Sequence, residues 1–179
     1  MAKQSINIGS AANDGTGSTL RAAFDICNDN FTELYDGSGG LLHKIEGTNF
    51  TGSLLVGHST TGTISSATYN TALGIGALDA LTTADNSVAI GYNAGTNITT
   101  GSSNILIGAY TGDALVGGGS NVAIGYAALT TEDGGSYNTA IGYQALYAQD
   151  AGTDAYNVAV GHNAGVSVTT GTLNTLMGS

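Results

Sequence analysis

The chain has 179 residues, of which 13 are Asp or Glu and 3 are Lys or Arg, giving a formal net charge of −10. A basic surface that displaces counter-ions from nucleic acid is therefore excluded. Glycine numbers 29 and proline 0, charged residues are 9% and apolar residues 41%, a composition that fits a chain stacking on itself or on its copies better than a disordered one.

The one cysteine rules out an intrachain disulfide and a cysteine-based zinc cluster. His43, His58 and His162 have no metal-ligand spacing. The opening Met1–Asn7 lacks an apolar leader core, and no run approaches the ~18 apolar residues of a membrane span. The expectation is a soluble protein assembled in a cytoplasm, with no membrane insertion, cofactor or metal. Lys3, Arg21 and Lys44 all lie in the first 44 positions, whereas residues 45–179 hold eight acids and no base. That asymmetry suggests regions with different tasks.

In chain order, Ser5-Ile6-Asn7-Ile8 alternates like a short strand, and Ala11–Gly17 is a turn cluster. Ser18 or Thr19 can cap a helix, along which Leu20, Phe24, Cys27, Phe31 and Leu34 form a heptad-like seam. Two heptads are too few to be stable alone, so this helix needs partners, and Cys27 on the seam reads as a core residue. The residues Ile6, Asn7, Ile8 and Gly9, then Asn13, Asp14, Gly15, Thr16 and Gly17, Leu20 and Arg21, and finally Asn28–Tyr35 resemble the amino-terminal module of contractile-tail phage baseplate and fibre proteins. The resemblance implies a trimeric attachment module over residues 1–36, with Ile6, Asn7, Ile8, Gly9, Asn13, Asp14, Gly15, Gly17, Leu20, Arg21, Phe31, Leu34 and Tyr35 carrying the docking to a baseplate. Ser18, Ile26 and Cys27 depart from the family's usual residues.

Residues 37–52, opening with Gly37–Gly40, read as a linker. From residue 53 a repeat sets in, anchored on Gly57, Gly74, Gly91, Gly108, Gly125, Gly142, Gly161 and Gly178. The spacing is 17 residues except for 19 between Gly142 and Gly161, and the extra residues fall at Gln149–Asp154. Before each glycine the chain alternates with period two, which marks a strand. The residue immediately before is large and aliphatic, the third before is mostly β-branched, and the one between is mostly Ala. The expectation is that Leu73, Val88, Ile90, Ile107, Val122, Ile124, Ile141, Val158 and Val160 form the interior of each coil, while the Ala face packs on a neighbouring chain. One strand motif per coil predicts a mostly β chain, a β-solenoid or β-roll of about eight coils over residues 53–179, with oligomerisation supplying burial that a thin coil lacks.

Motifs such as Asn86-Ser87-Val88-Ala89-Ile90-Gly91 are similar to the head repeats of trimeric autotransporter adhesins, and Asn-Thr-Ala-Ile-Gly-Tyr arrays resemble those of phage tail fibres. The resemblance implies a left-handed parallel β-roll in each chain of a homotrimer. No nucleophile–histidine–carboxylate set is present, so a non-enzymatic protein is expected. The scattered acids Asp79, Asp85, Asp113, Glu132, Asp133, Asp150 and Asp154 could hold Ca²⁺, but they keep no fixed repeat position and read as a solvated surface. The Thr pairs at 82–83, 99–100 and 169–170 are interrupted in the other coils, which argues against an ice-binding array. Together these readings lead to the expectation of a phage virion protein: a trimeric tail fibre or spike with a baseplate partner at its amino end. A further fibre protein or a missing segment is expected over its carboxyl end. An adhesin touching host surface glycans, or a capsid-surface fibre, is the alternative.

Overall fold

In the computed structural model the described residues are 43–44, 50–51, 53–56 and 66–179. The chain divides into the units Met1–Leu41 and Leu42–Ser179, and the described residues all lie in the second. The attachment residues, the helical seam with Cys27, and His58 lie outside the described residues.

Among the described residues eleven short strands follow one another: β1 (His43–Lys44), β2 (Phe50–Thr51), β3 (Leu54–Val56), β4 (Ala67–Thr68), β5 (Thr71–Leu73), β6 (Val88–Ile90), β7 (Ile105–Ile107), β8 (Val122–Ile124), β9 (Thr139–Ile141), β10 (Val158–Val160) and β11 (Thr175–Met177). β3 and β5 to β11 pair in parallel, each with the next coil's strand, and β2 pairs with β4 in a second, two-stranded sheet. The register sets equivalent repeat positions side by side, as in Val88↔Ile105, Ala89↔Leu106 and Ile90↔Ile107. This is a β-solenoid of about seven turns. One strand departs from the repeat logic. β1 runs antiparallel to β3, with His43 opposite Val56, and so occupies the outer edge of the first rung, where an open ladder would invite further pairing.

The two faces of the strands are the reverse of the sequence expectation. The middle residue points inward: Ala72, Ala89, Leu106, Ala123, Ala140 and Ala159 are all buried. Val88, Ile90, Ile107, Val122, Ile124, Ile141, Val158 and Val160 are only half-buried, and Leu73 is exposed. The period of two was right but its phase was not. The physical reason is the size of the coil. Its walls lie so close that Ala meets the opposite side, leaving no room for a branched side chain at every strand position. The remaining inward stations confirm this economy. Ala77, Ala94, Ala128, Ala145 and Ala164, three residues past the glycines, are buried, as are Leu81, Ile98 and Leu115, seven residues past.

Core volume is balanced between neighbouring coils. Four residues past successive glycines stand Leu78, Gly95, Gly112, Leu129, Leu146 and Gly165. A Cβ on Gly95 would lie 2.7 Å from Leu106 Cδ1, and one on Gly112 would lie 2.9 Å from Leu106 Cδ2. Leu106, the large variant at the inner strand position, thus fills the space that these glycines vacate. Leu176 stands in the same relation to Gly165, whose Cβ would lie 3.2 Å from Leu176 Cδ1. Where the strand supplies Ala, as at Ala123 and Ala140, Leu129 and Leu146 supply the bulk. Such volume-conserving exchange is what a close-packed interior requires.

The anchor glycines are demanded by backbone approach. At Gly125, φ is +133°, and a Cβ would fall on the Gly142 carbonyl, with its carbon at 2.6 Å. An L-residue is strained at that φ and has no space there.

Candidate functional site

Four residues before every anchor stands Ser or Asn: Ser53, Asn70, Ser87, Asn104, Asn121, Asn138, Asn157 and Asn174. These side chains form an internal ladder. Asn104 Oδ1 accepts from the Asn121 amide at 3.0 Å, Asn121 Oδ1 from the Asn138 amide at 2.8 Å, and Asn157 Oδ1 from the Asn174 amide at 2.9 Å. Their side-chain amides donate across the turn, Asn104 to Gly118 O at 2.9 Å and Asn121 to Gly135 O at 3.0 Å. Asn104 and Asn121 so each satisfy two backbone groups of the neighbouring coil in a buried position, where an unpaired group costs about 1–3 kcal/mol. The sequence motif contained this column, but periodicity of hydrophobic residues does not reveal a polar ladder.

The 19-residue coil breaks the pattern. Asn138 Nδ2 and Gln149 Nε2 have no hydrogen-bond partner within the described residues, because the insertion displaces the carbonyl that Asn138 would otherwise reach. Glu132 and Gln149 hold the inner station that Leu81, Ile98 and Leu115 fill elsewhere, and both are buried. The Glu132 carboxylate accepts from the amides of Gly135 at 2.6 Å, Ala151 at 3.1 Å and Gly152 at 3.3 Å. Glu132, Asp133 and Asp150 come within 4.8 Å of one another. Since both Glu132 oxygens serve backbone amides, the residue is a peg holding the inserted loop to the coil. The paired threonines are likewise tied to the stack, Thr82 Oγ1 donating to Thr99 O at 2.8 Å and Thr99 Oγ1 to Val116 O at 3.3 Å.

The outer face of the strand stack is an organised surface. Two aliphatic or β-branched residues per rung point outward, and the alternation continues past each glycine into an aromatic column. Tyr92, Tyr110, Tyr126, Tyr143 and His162 stand ring to ring, with centroids 5.3, 5.9, 5.4 and 5.1 Å apart. Tyr110 belongs one residue further along its coil, but it leans into the gap left by Ala109 and keeps the column unbroken. Crowding by its neighbours and the adjoining Tyr92 and Tyr126 raise the Tyr110 hydroxyl above the usual tyrosine range. At the opposite end of the strands, Tyr137 and Tyr156 stack at 4.8 Å, with planes 4° apart.

Charge separates this face from the rest. The two outward strand columns, together with the column five residues before the anchor (Tyr69, Asn86, Ser103, Ser120, Tyr137, Tyr156, Leu173) and the one just after it (Ile75, Tyr92, Ala109, Tyr126, Tyr143, His162, Ser179), contain no acid and no Lys or Arg. The seven acids of residues 66–179 stand at other repeat positions.

The arrangement defines a parallel β-solenoid with one uncharged, apolar and aromatic face. Comparison with protein-family models, with curated proteins and with solved structures finds no match. Among the described residues, no helix is long and apolar enough to cross a membrane.

Proposed function

We propose that this chain is a structural, non-enzymatic component of a bacteriophage virion: a homotrimeric tail fibre or spike, joined to the baseplate through residues 1–36 and continued by the β-solenoid as a rigid, left-handed shaft. The observation that carries the reading is the uncharged outer face. Leu73 is 51%, Ile105 40% and Met177 78% exposed in the single chain, and contiguous apolar surface of this extent marks an interaction site. A chain with a net charge of −10 meets copies of itself most easily through the one face that carries no acid. Three such faces around a common axis bury the Val and Ile columns, leaving the acidic loops outside. The residues that the sequence placed inside each coil then become the core between chains.

The resemblance of residues 5–35 to baseplate modules supports attachment at that end. Sedimentation equilibrium should return three times the 17.7 kDa chain mass, and antibody labelling of virions should decorate the tail. A monomer across micromolar concentrations, or label confined to the capsid, would refute the proposal.

A further inference from the structure

The aliphatic columns repeat at every rung, so by themselves they fit a partner equally well after a slip of one coil. Register in repetitive β-structure needs a non-repeating feature. The aromatic residues at the two ends of the strands supply one.

In any assembly whose rotation axis runs along the column, the edge where each strand begins meets the edge where the neighbour's strand ends. At the beginning edge the column reads Tyr69, Asn86, Ser103, Ser120, Tyr137, Tyr156 and Leu173. Large rings occupy two successive rungs there only at β9 and β10. At the ending edge the same two rungs carry Tyr143 and His162. Tyr137 and Tyr156 are 48% and 49% exposed, and Tyr143 is 45% exposed. Each edge presents a ready-made pair of stacked rings, Tyr137 with Tyr156 at 4.8 Å and Tyr143 with His162 at 5.1 Å, with planes within 8°. Two stacks of nearly equal pitch, each with its own rings almost parallel, can pack along their whole height with little rearrangement, which lowers the cost of association. At the β6 and β8 rungs the beginning edge offers Asn86 and Ser120 opposite the positions of Tyr92 and Tyr126, small polar groups suited to tyrosine hydroxyls.

Resting on the trimer reading above, we propose that these rings are a register latch: Tyr137 packs on the partner's Tyr143, and Tyr156 on the partner's His162. This holds three copies parallel and level. A slip of one rung one way sets Tyr137 beside the partner's Tyr126 and Tyr156 beside the partner's Tyr143, leaving His162 against Leu173. The other way sets Tyr137 beside the partner's His162 and leaves both Tyr156, against Ser179, and Tyr143, against Ser120, without a ring, so that all four rings are paired only when the copies are level.

The test uses the full chain with Cys27→Ser and the double substitution Tyr137→Cys/Tyr143→Cys, treated with a short bismaleimide and run on a denaturing gel. Most of the protein should become covalent trimer, whereas Tyr137→Cys/His162→Cys, one rung out of level, should give at least fivefold less. A trimer by sedimentation that links out of level, or at neither pair, overturns the latch while leaving the trimer standing. A monomeric parent chain overturns both. If the double variant loses its β circular-dichroism signal, photo-oxidative coupling of the unmodified trimer decides. Mixed light and heavy-nitrogen chains should yield a dityrosine joining Tyr137 of one chain to Tyr143 of another, and a trimer without it refutes the latch.

Discussion

Replacing Leu106 with Ala should destabilise the solenoid by about 3–4 kcal/mol, and adding Gly112→Leu should return most of that loss. Leu106 is fully buried. Removing its three outer carbons forfeits about 2.4 kcal/mol at ~0.8 kcal/mol per buried methylene. The cavity term adds roughly another 1 kcal/mol, because Gly95 and Gly112 on either side have no side chain to move in. Gly112→Leu alone should also be costly, since its Cβ would lie 2.9 Å from both Leu106 Cδ2 and Leu115 Cδ1. Together the two changes recreate the pairing of Ala123 with Leu129. The backbone permits it, as Gly112 has φ +55° and Leu129 already adopts +54°. Urea unfolding followed by circular dichroism, at one fixed protein concentration because an oligomer's stability depends on it, gives the double-mutant cycle. The expected coupling is at least about 2 kcal/mol in favour of the pair. If the two losses simply add to within ~0.5 kcal/mol, the reciprocal packing is wrong.

Three further outcomes follow from the same geometry. Gly125→Ala should cost more than about 3 kcal/mol or prevent folding, whereas Gly178→Ala, with open space around its Cβ, should cost only the ~1–2 kcal/mol of backbone strain; thermal melts compare them. Glu132→Leu restores the aliphatic residue found in sister coils, yet it should destabilise by about 2–3 kcal/mol by orphaning three amides, and faster proteolytic nicking near residue 151 reports the released loop. Burial holds the Asp113 carboxyl above its usual range, against the lowering pull of the Asp113 and Ala114 amides. The folded chain therefore binds that proton more tightly than the unfolded one, and this residue's contribution weakens as pH rises through the interval between its unfolded and folded pKa values. Asp113→Asn should raise the urea midpoint at pH 7 by less than ~1 kcal/mol equivalent, the group being partly solvated, and flatten the pH slope just above the ordinary carboxylate range; a lower midpoint at pH 7 would contradict this.

Periodicity made the solenoid legible in the sequence: the glycine anchors, the strand positions and the loop insertion all fall where the spacing places them. The phase of the alternation was not legible, because Val88 and Ile90 look like core residues by hydrophobicity alone. Which face is inside depends on coil width, a property of the stacked backbone rather than of any one motif. Ala89 between them was the available clue, since a wide coil would leave a cavity at alanine. The asparagine ladder was visible as a column and Tyr110's place in the ring column was not, because it is off by one residue and joins only through side-chain reach. The charge-free face could have been read from the alignment of coils, by asking where the acids never fall.

The exchange of bulk between strand and turn has a consequence for how such a solenoid can change length. Recombination between repeats removes one coil and joins its former neighbours. Excision of residues 113–129 would set Gly112 against Ala140, a combination the interior already tolerates beside Ala123. Excision of residues 79–95 would set Leu78 against Leu106, two large side chains in a space built for one. Coils of identical length and motif are therefore not interchangeable parts. The history of the solenoid is constrained by which seams close, and some deletions in frame with the repeat remain closed to it.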